Sequence, residues 1–308
     1  MSRIHEALKK AEEERAANLG GPAQSSLAPT AVSEASAVAD MPAAMPLSPA
    51  PPAMPGLVGP FSTDTLLARC AQLEWKPDAT TMLFLNGDDG ARGTEEFRTL
   101  RSRLYHLREK MPLKKILVTS ALPKEGKSFM SSNLAQVMVR QHGRRALLID
   151  ADLRAPRLHL MLGTTSDPGL ADYLMGKKDE FSIMQRGPLD NLFFIPSGIG
   201  AADPAELVGN GRLKLLLQRV EPLFDWIIID SPPAVAVSDA SVLAKACDGV
   251  LMVVRSNSTP VDLARKARQE FPEEALIGVV LNGTSEGDIP YARYYYDSYQ
   301  KKATATKV

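Results

Sequence analysis

Ile116-Leu117-Val118-Thr119-Ser120-Ala121-Leu122-Pro123-Lys124-Glu125-Gly126-Lys127-Ser128 reads as an apolar strand, a tight loop and the start of a helix. That order is the context of a phosphate-binding loop. Successive backbone N–H groups in such a loop wrap a phosphate, and the helix dipole favours its negative charge. Lys127 is expected to reach the β- and γ-phosphates of a nucleotide and the Ser128 hydroxyl to ligate Mg²⁺. Pro123, Lys124, Glu125, Gly126, Lys127, Ser128 and Phe129 are the candidate nucleotide-binding residues. The general pattern G-x-x-x-x-G-K-[ST] is met except at its first position, where Ala121 stands in place of glycine.

Outward from the loop, apolar runs alternate with helical periodicity. After Ile116–Val118 come runs at 146–149, 192–195, 227–229, 250–254 and 276–281. Unbroken apolar strands imply burial on both faces. Between the first two, Met130, Leu134, Val137 and Met138 share a helix face, and Gly143 is the expected C-cap. Pro260 opens a helix that runs through Ala264 and Ala267. Strand and helix in alternation predict an α/β fold of the P-loop NTPase kind: a mostly parallel sheet flanked by helices on both faces.

Two more strands end in acid. Leu147-Leu148-Ile149 runs into Asp150-Ala151-Asp152-Leu153-Arg154-Ala155-Pro156, and Trp226-Ile227-Ile228-Ile229 into Asp230-Ser231-Pro232-Pro233. In an open parallel sheet that edge is where ligands bind. A carboxylate there is costly without a cation, so Asp152 and Asp230 join Ser128 as candidate Mg²⁺ ligands.

The flanks read differently. Residues 2–17 have the periodicity of a short amphipathic helix: Ile4, Leu8 and Ala11 fall on one face, and Glu6 and Lys10 form an i,i+4 pair. Such a helix is marginal alone, so it is expected to dock on a partner. Nine prolines lie between Pro22 and Pro60, with only Glu34 and Asp40 charged, which predicts a flexible linker over 18–60. Residues 61–290 are then expected to form the α/β domain that carries the phosphate loop, and 291–308 a tail. Acids and bases balance at 36 each, which excludes a whole-chain nucleic-acid binder. No segment has the 18–20 apolar residues of a membrane span, and the charged N-terminus lacks the apolar core of a signal peptide. Two cysteines, Cys70 and Cys247, make neither a disulfide framework nor a metal set and suit a reducing cytosol.

The three strand-end segments together resemble the Walker A, A′ and B motifs of the bacterial protein-tyrosine kinases (BY-kinases) of capsule and exopolysaccharide synthesis. Two further features resemble that family. Glu95-x-x-Arg98-x-x-Arg101 is similar to the helical motif by which its catalytic domains associate into a ring. Tyr291, Tyr294, Tyr295, Tyr296 and Tyr299 are similar to its C-terminal tyrosine cluster, autophosphorylated in trans. The resemblance covers residues 90 to 300. It implies ATP and Mg²⁺ as cofactors and a transient, ring-like homo-oligomer. It also implies a separate transmembrane chain-length regulator as activator and a phosphatase that resets the tail. The location implied is cytoplasmic, at the inner face of the plasma membrane through that partner. Lys124 departs from the family, which usually has glycine there, and Asp203 stands where many members carry Asn.

On this reading Lys127 holds phosphates, and Asp150 or, alternatively, Asp152 orients or deprotonates the tyrosine hydroxyl. Arg154 stabilises developing charge. Two rivals share these motifs. One is a deviant-Walker ATPase switch, which carries a signature lysine where this chain has Leu122 and lacks a tyrosine tail. The other is a non-catalytic nucleotide-binding adaptor.

Overall fold

The computed structural model describes residues 62–84, 93–200 and 203–285. The expected N-terminal helix, the linker and the tyrosine cluster lie outside those residues. All described residues belong to the second of two units, Ala53–Val308.

Among the described residues, eight strands form one sheet. They are β1 (Ala71–Gln72), β2 (Lys115–Ser120), β3 (Ala146–Asp150), β4 (Gln185–Arg186), β5 (Leu192–Ile195), β6 (Trp226–Asp230), β7 (Gly249–Arg255) and β8 (Leu276–Asn282). Their order across the sheet is β1-β4-β5-β3-β6-β2-β7-β8. Nine helices surround them: α1 (Thr63–Arg69), α2 (Thr94–Arg108), α3 (Lys127–Val139), α4 (Leu158–Leu162), α5 (Leu170–Leu174), α6 (Pro204–Gly209), α7 (Arg212–Val220), α8 (Asp239–Ala244) and α9 (Val261–Gln269), as counted among the described residues.

Side chains alternate across each central strand, and each set meets its own helical layer. Leu117, Leu147, Ile149, Ile227 and Ile229 pack into one cluster with α5, α7 and α8. Ile116, Val118, Leu148, Trp226 and Ile228 pack into the other with α2 and α3. The predicted two-faced burial therefore holds for the centre of the sheet. It fails for β8, where Val279 and Leu281 are 54% and 56% exposed. Among the described residues β8 pairs only with β7, so there it is an edge strand with one face open to solvent. The sheet also departs from all-parallel at its other side, where β4 runs antiparallel to β5.

The helix after β2 is buried on every side, polar residues included. Asn133 explains why: its Oδ1 accepts from Leu83 N at 2.8 Å and its Nδ2 donates to Thr81 O at 2.8 Å. The helix thus holds the 81–84 segment as well as the sheet. Gly143 is not its C-cap. The helix ends at Val139, Arg140 caps it in right-handed geometry, and Gly143 (φ +74°) turns the loop beyond. Pro260 is the N-cap of α9.

Candidate active site

β3 and β2 lie on either side of β6, so the three strand ends emerge side by side. Asp150 and Asp230 are direct register partners, and Val118 pairs with Asp230 from the other side. Topology alone brings together carboxylates 80 residues apart in the chain.

The loop from Ala121 to Gly126 closes on itself. Ser120 Oγ donates to Leu122 O at 2.7 Å, and Leu122 N donates to Glu125 Oε2 at 2.7 Å. Gly126 has φ +96°, so the backbone favours glycine, and a Cβ there would displace the Asn282 amide, 2.1 Å away. Ala121 needs no glycine: it is fully buried, and the only non-glycine positive φ values among the described residues are at Lys124 and Asn257. Lys124 has φ +67°, which explains why glycine suits that position. The left-handed conformation costs a side-chain-bearing residue about 1 kcal/mol. Lys124→Gly is therefore expected to hold or raise the melting temperature, and Lys124→Val to lower it by a few degrees in thermal melts.

Met130 N makes the first intrahelical bond of α3, to Gly126 O at 2.9 Å. The amides of Lys127, Ser128 and Phe129 precede it and face the loop side. The Phe129 ring does not: it packs edge-on against Phe97 at 5.9 Å, so Phe129 can serve a nucleotide only through its backbone. Lys127 is 8% exposed at the helix start. Ser128 Oγ donates to Asp230 Oδ2 at 2.6 Å, and Ser131 Oγ to Asp230 Oδ1 at 3.0 Å. Burial pushes the Asp230 carboxyl up to about 6, against the pull of Lys127 and the two hydroxyls. Burial, reinforced by Asp230, holds Asp150 well above the ordinary carboxylate range.

The two candidate bases have different surroundings. Asp150 is fully buried, and its oxygens accept amides from Asp152, Arg157 and Leu158 at 3.3, 3.2 and 3.1 Å. It anchors the loop into α4 through these three amides. Asp152 is 7% exposed and accepts Ala155 N at 3.0 Å through Oδ1. Arg154 makes a two-pronged pair with Asp239 at 2.8 and 3.1 Å. Asp239 is 2% exposed in the first turn of α8, and no sequence spacing marked it.

No group of three His, Cys, Asp or Glu that could hold a metal alone occurs among the described residues. A hydroxyl and a carboxylate held together in a cluster of buried acids fit Mg²⁺, which binds through one or two carboxylates and completes its shell with substrate phosphates and water. Of the residues expected at an oligomer interface, Glu95 pairs in-chain with Arg98 on the exposed face of α2. Arg101 Nη1 donates to Val137 O at 3.0 Å, tying α2 to the end of α3.

An AAA domain family model matches residues 114–262. The tyrosine-protein kinase YwqD of Bacillus subtilis is 34% identical over 62% of this chain and 81% of its own length. The chain belongs to the bacterial tyrosine-protein kinases. The tyrosine-protein kinase CpsD of Streptococcus agalactiae is 31% identical, with 66% of this chain and 90% of that one covered. The kinase spans much less of tyrosine-protein kinase wzc of Salmonella typhimurium, 31% identical over 67% of this chain but 29% of that one. Among solved structures, the kinase domain of Escherichia coli tyrosine kinase ETK superposes with a TM-score of 0.60 at 26% identity, covering 70% of this chain and 91% of that one. The VpsO kinase domain gives 0.54 at 30% identity, covering 63% and 100%. These relatives favour the kinase over the ATPase switch and the adaptor. No helix among the described residues is long and apolar enough to cross a membrane.

Proposed function

We propose that this kinase uses Mg·ATP to phosphorylate the tyrosines of its own tail, Tyr291, Tyr294, Tyr295, Tyr296 and Tyr299, on a neighbouring copy. The observation that carries the reading is the convergence of the phosphate loop, Asp152 and Asp230 at three adjacent strand ends. The Lys127 ammonium and the amides of the loop and first turn of α3 hold the β- and γ-phosphates. Ser128 and Asp230, with Asp152 near them, would hold Mg²⁺, which neutralises phosphate charge when bound. Asp152 accepts the proton of the tyrosine hydroxyl. The phenolic oxygen forms a bond to the γ-phosphorus, the bond to the bridging oxygen breaks, and ADP leaves with that electron pair. Arg154, oriented by Asp239, faces the charge that develops.

Exchange of the Glu95–Arg98 pair between copies would build the ring that presents one tail to the next site. Each phosphate adds about −1.5 to −2 charges, so a modified cluster would release from that site by repulsion. The same reading assigns residues 61–290 to catalysis and 291–308 to the acceptor tail. It places the kinase in the cytoplasm, at the inner face of the plasma membrane, through a separate transmembrane chain-length regulator. There it would control capsule or exopolysaccharide synthesis, with a cognate phosphatase reversing the modification.

A mixing experiment tests this. A chain truncated before Tyr291 serves as enzyme, full-length Lys127→Met as acceptor, with Mg·ATP and an anti-phosphotyrosine readout. Phosphotyrosine on the full-length acceptor is expected, and none on either protein alone. Intact nucleotide binding with no phosphotyrosine in any arm, activator peptide included, would instead support the nucleotide-binding adaptor.

A further inference from the structure

A carboxylate inside a phosphate-binding loop is out of place on charge alone, because it repels the group that the loop collects. Glu125 is such a carboxylate, and the structure shows where it is used. It is 3% exposed. One oxygen accepts the Leu122 amide at 2.7 Å, closing the loop across Pro123 and Lys124. The other accepts the hydroxyl of Thr259, which sits in the turn between β7 and α9. The end of β7 reaches the loop once more, and also braces Thr259. Arg255 Nη1 donates to Lys124 O at 3.1 Å, beside the left-handed residue, and Arg255 N donates to Thr259 Oγ1 at 3.1 Å. From the end of β8, Asn282 Nδ2 donates to Glu125 O at 2.9 Å. A groove of about 370 Å³ runs between the two sides, lined by Leu122, Pro123, Lys124, Glu125, Arg255 and Thr259 among others.

We infer that Glu125 is a positioning residue for nucleotide, fixing the phosphate loop in its binding shape by tying the Leu122 amide to Thr259. Both oxygens of the carboxylate are occupied, by the Leu122 amide and the Thr259 hydroxyl, so the loop keeps its remaining amides for the ligand. Thr259 in turn gives the β7–α9 turn a direct hold on the loop's shape. This rests on the loop binding nucleotide, not on where the phosphoryl group goes.

The test is calorimetric binding of Mg·ADP to the full chain. Glu125→Ala and Thr259→Val are each expected to weaken binding about tenfold. The double variant is expected to be no weaker than either alone, because both remove one shared contact. Glu125→Gln can still accept from Leu122 and donate to Thr259, and Thr259→Ser keeps the hydroxyl; both are expected to stay within threefold of wild type. In phosphotransfer assays the Ala and Val variants are expected to raise KM for ATP about tenfold with kcat changed less than threefold. Thermal melts identify a variant that merely unfolds, and Thr259→Val at the turn carries the test if Glu125→Ala does. Binding within twofold of wild type in a folded Glu125→Ala or Thr259→Val overturns the inference, as do independent, multiplying losses in the double variant. Wild type that binds Mg·ADP yet makes no phosphotyrosine, activator peptide included, sinks the autokinase reading alone and leaves this test intact.

Discussion

Lys127→Met is expected to cut phosphotyrosine formation at saturating Mg·ATP by a hundred- to a thousandfold or more. A single preorganised charge donor aimed at the transferring group contributes roughly that much, because charge shifts onto the leaving oxygen in a site shielded from water. A second effect follows from the charges around Lys127. Lys127 is 8% exposed and is the strongest influence opposing burial at Asp230. Methionine matches the length of the lysine stem but leaves Asp230 without that cation. Breaking a buried charge cluster from one side destabilises by a few kcal/mol; with partial relaxation, about 1–3 kcal/mol is expected here. At about 2–4 °C per kcal/mol for a domain this size, the nucleotide-free variant should melt several degrees below wild type. Initial rates and thermal melts on one preparation check both. A variant that keeps a tenth of the wild-type rate, or melts with wild type at pH 7.5, removes Lys127 from the role assigned to it.

The strand ends were legible because each of the central strands is a run of apolar residues that stops at a polar one. Asp150, Asp152, Asp230 and the 121–128 loop could be placed on one sheet edge before any coordinates. What the sequence hid came from pairings between distant segments. Arg154 meets Asp239 across 85 positions, Glu125 meets Thr259 across 134, and Asn282 meets Glu125 O across 157. No local spacing encodes such contacts, and an acid in a helix's first turn, as Asp239 is, is commonplace. The edge position of β8 was hidden for a related reason. Leu276 to Leu281 has the composition of a central strand, and only the strand order shows that one side lacks a neighbour. β1 and β4 have two residues each, too short for any period to register. Lys124 was visible as a departure from its family, but its meaning is in the backbone, at φ +67°.

Asp230→Asn should lose activity as Lys127→Met does yet shift stability the opposite way. In the folded chain burial raises the Asp230 carboxyl from 3.8 to about 6. A raised folded-state pKa means that the folded protein binds more protons than the unfolded chain between those values. Stability contributed by this group therefore falls as pH rises from near 4 through about 6, and the full penalty is present at neutral pH. Asparagine removes the charge and can still meet Ser128 and Ser131, whose hydroxyls rotate to donate or accept. The nucleotide-free variant is expected to be more stable than wild type by about 1–3 kcal/mol at pH 7.5, with the gap narrowing toward pH 4. Mg·ATP should raise the melting temperature of wild type strongly and of the variant little, since the variant lacks a carboxylate suited to Mg²⁺. Melts across pH 4 to 8, with and without Mg·ATP, separate the two contributions. If the variant melts below wild type at pH 7.5, the negative charge on Asp230 stabilises the apo fold through Lys127, and the cluster is a structural ion pair rather than a site held ready for a cation.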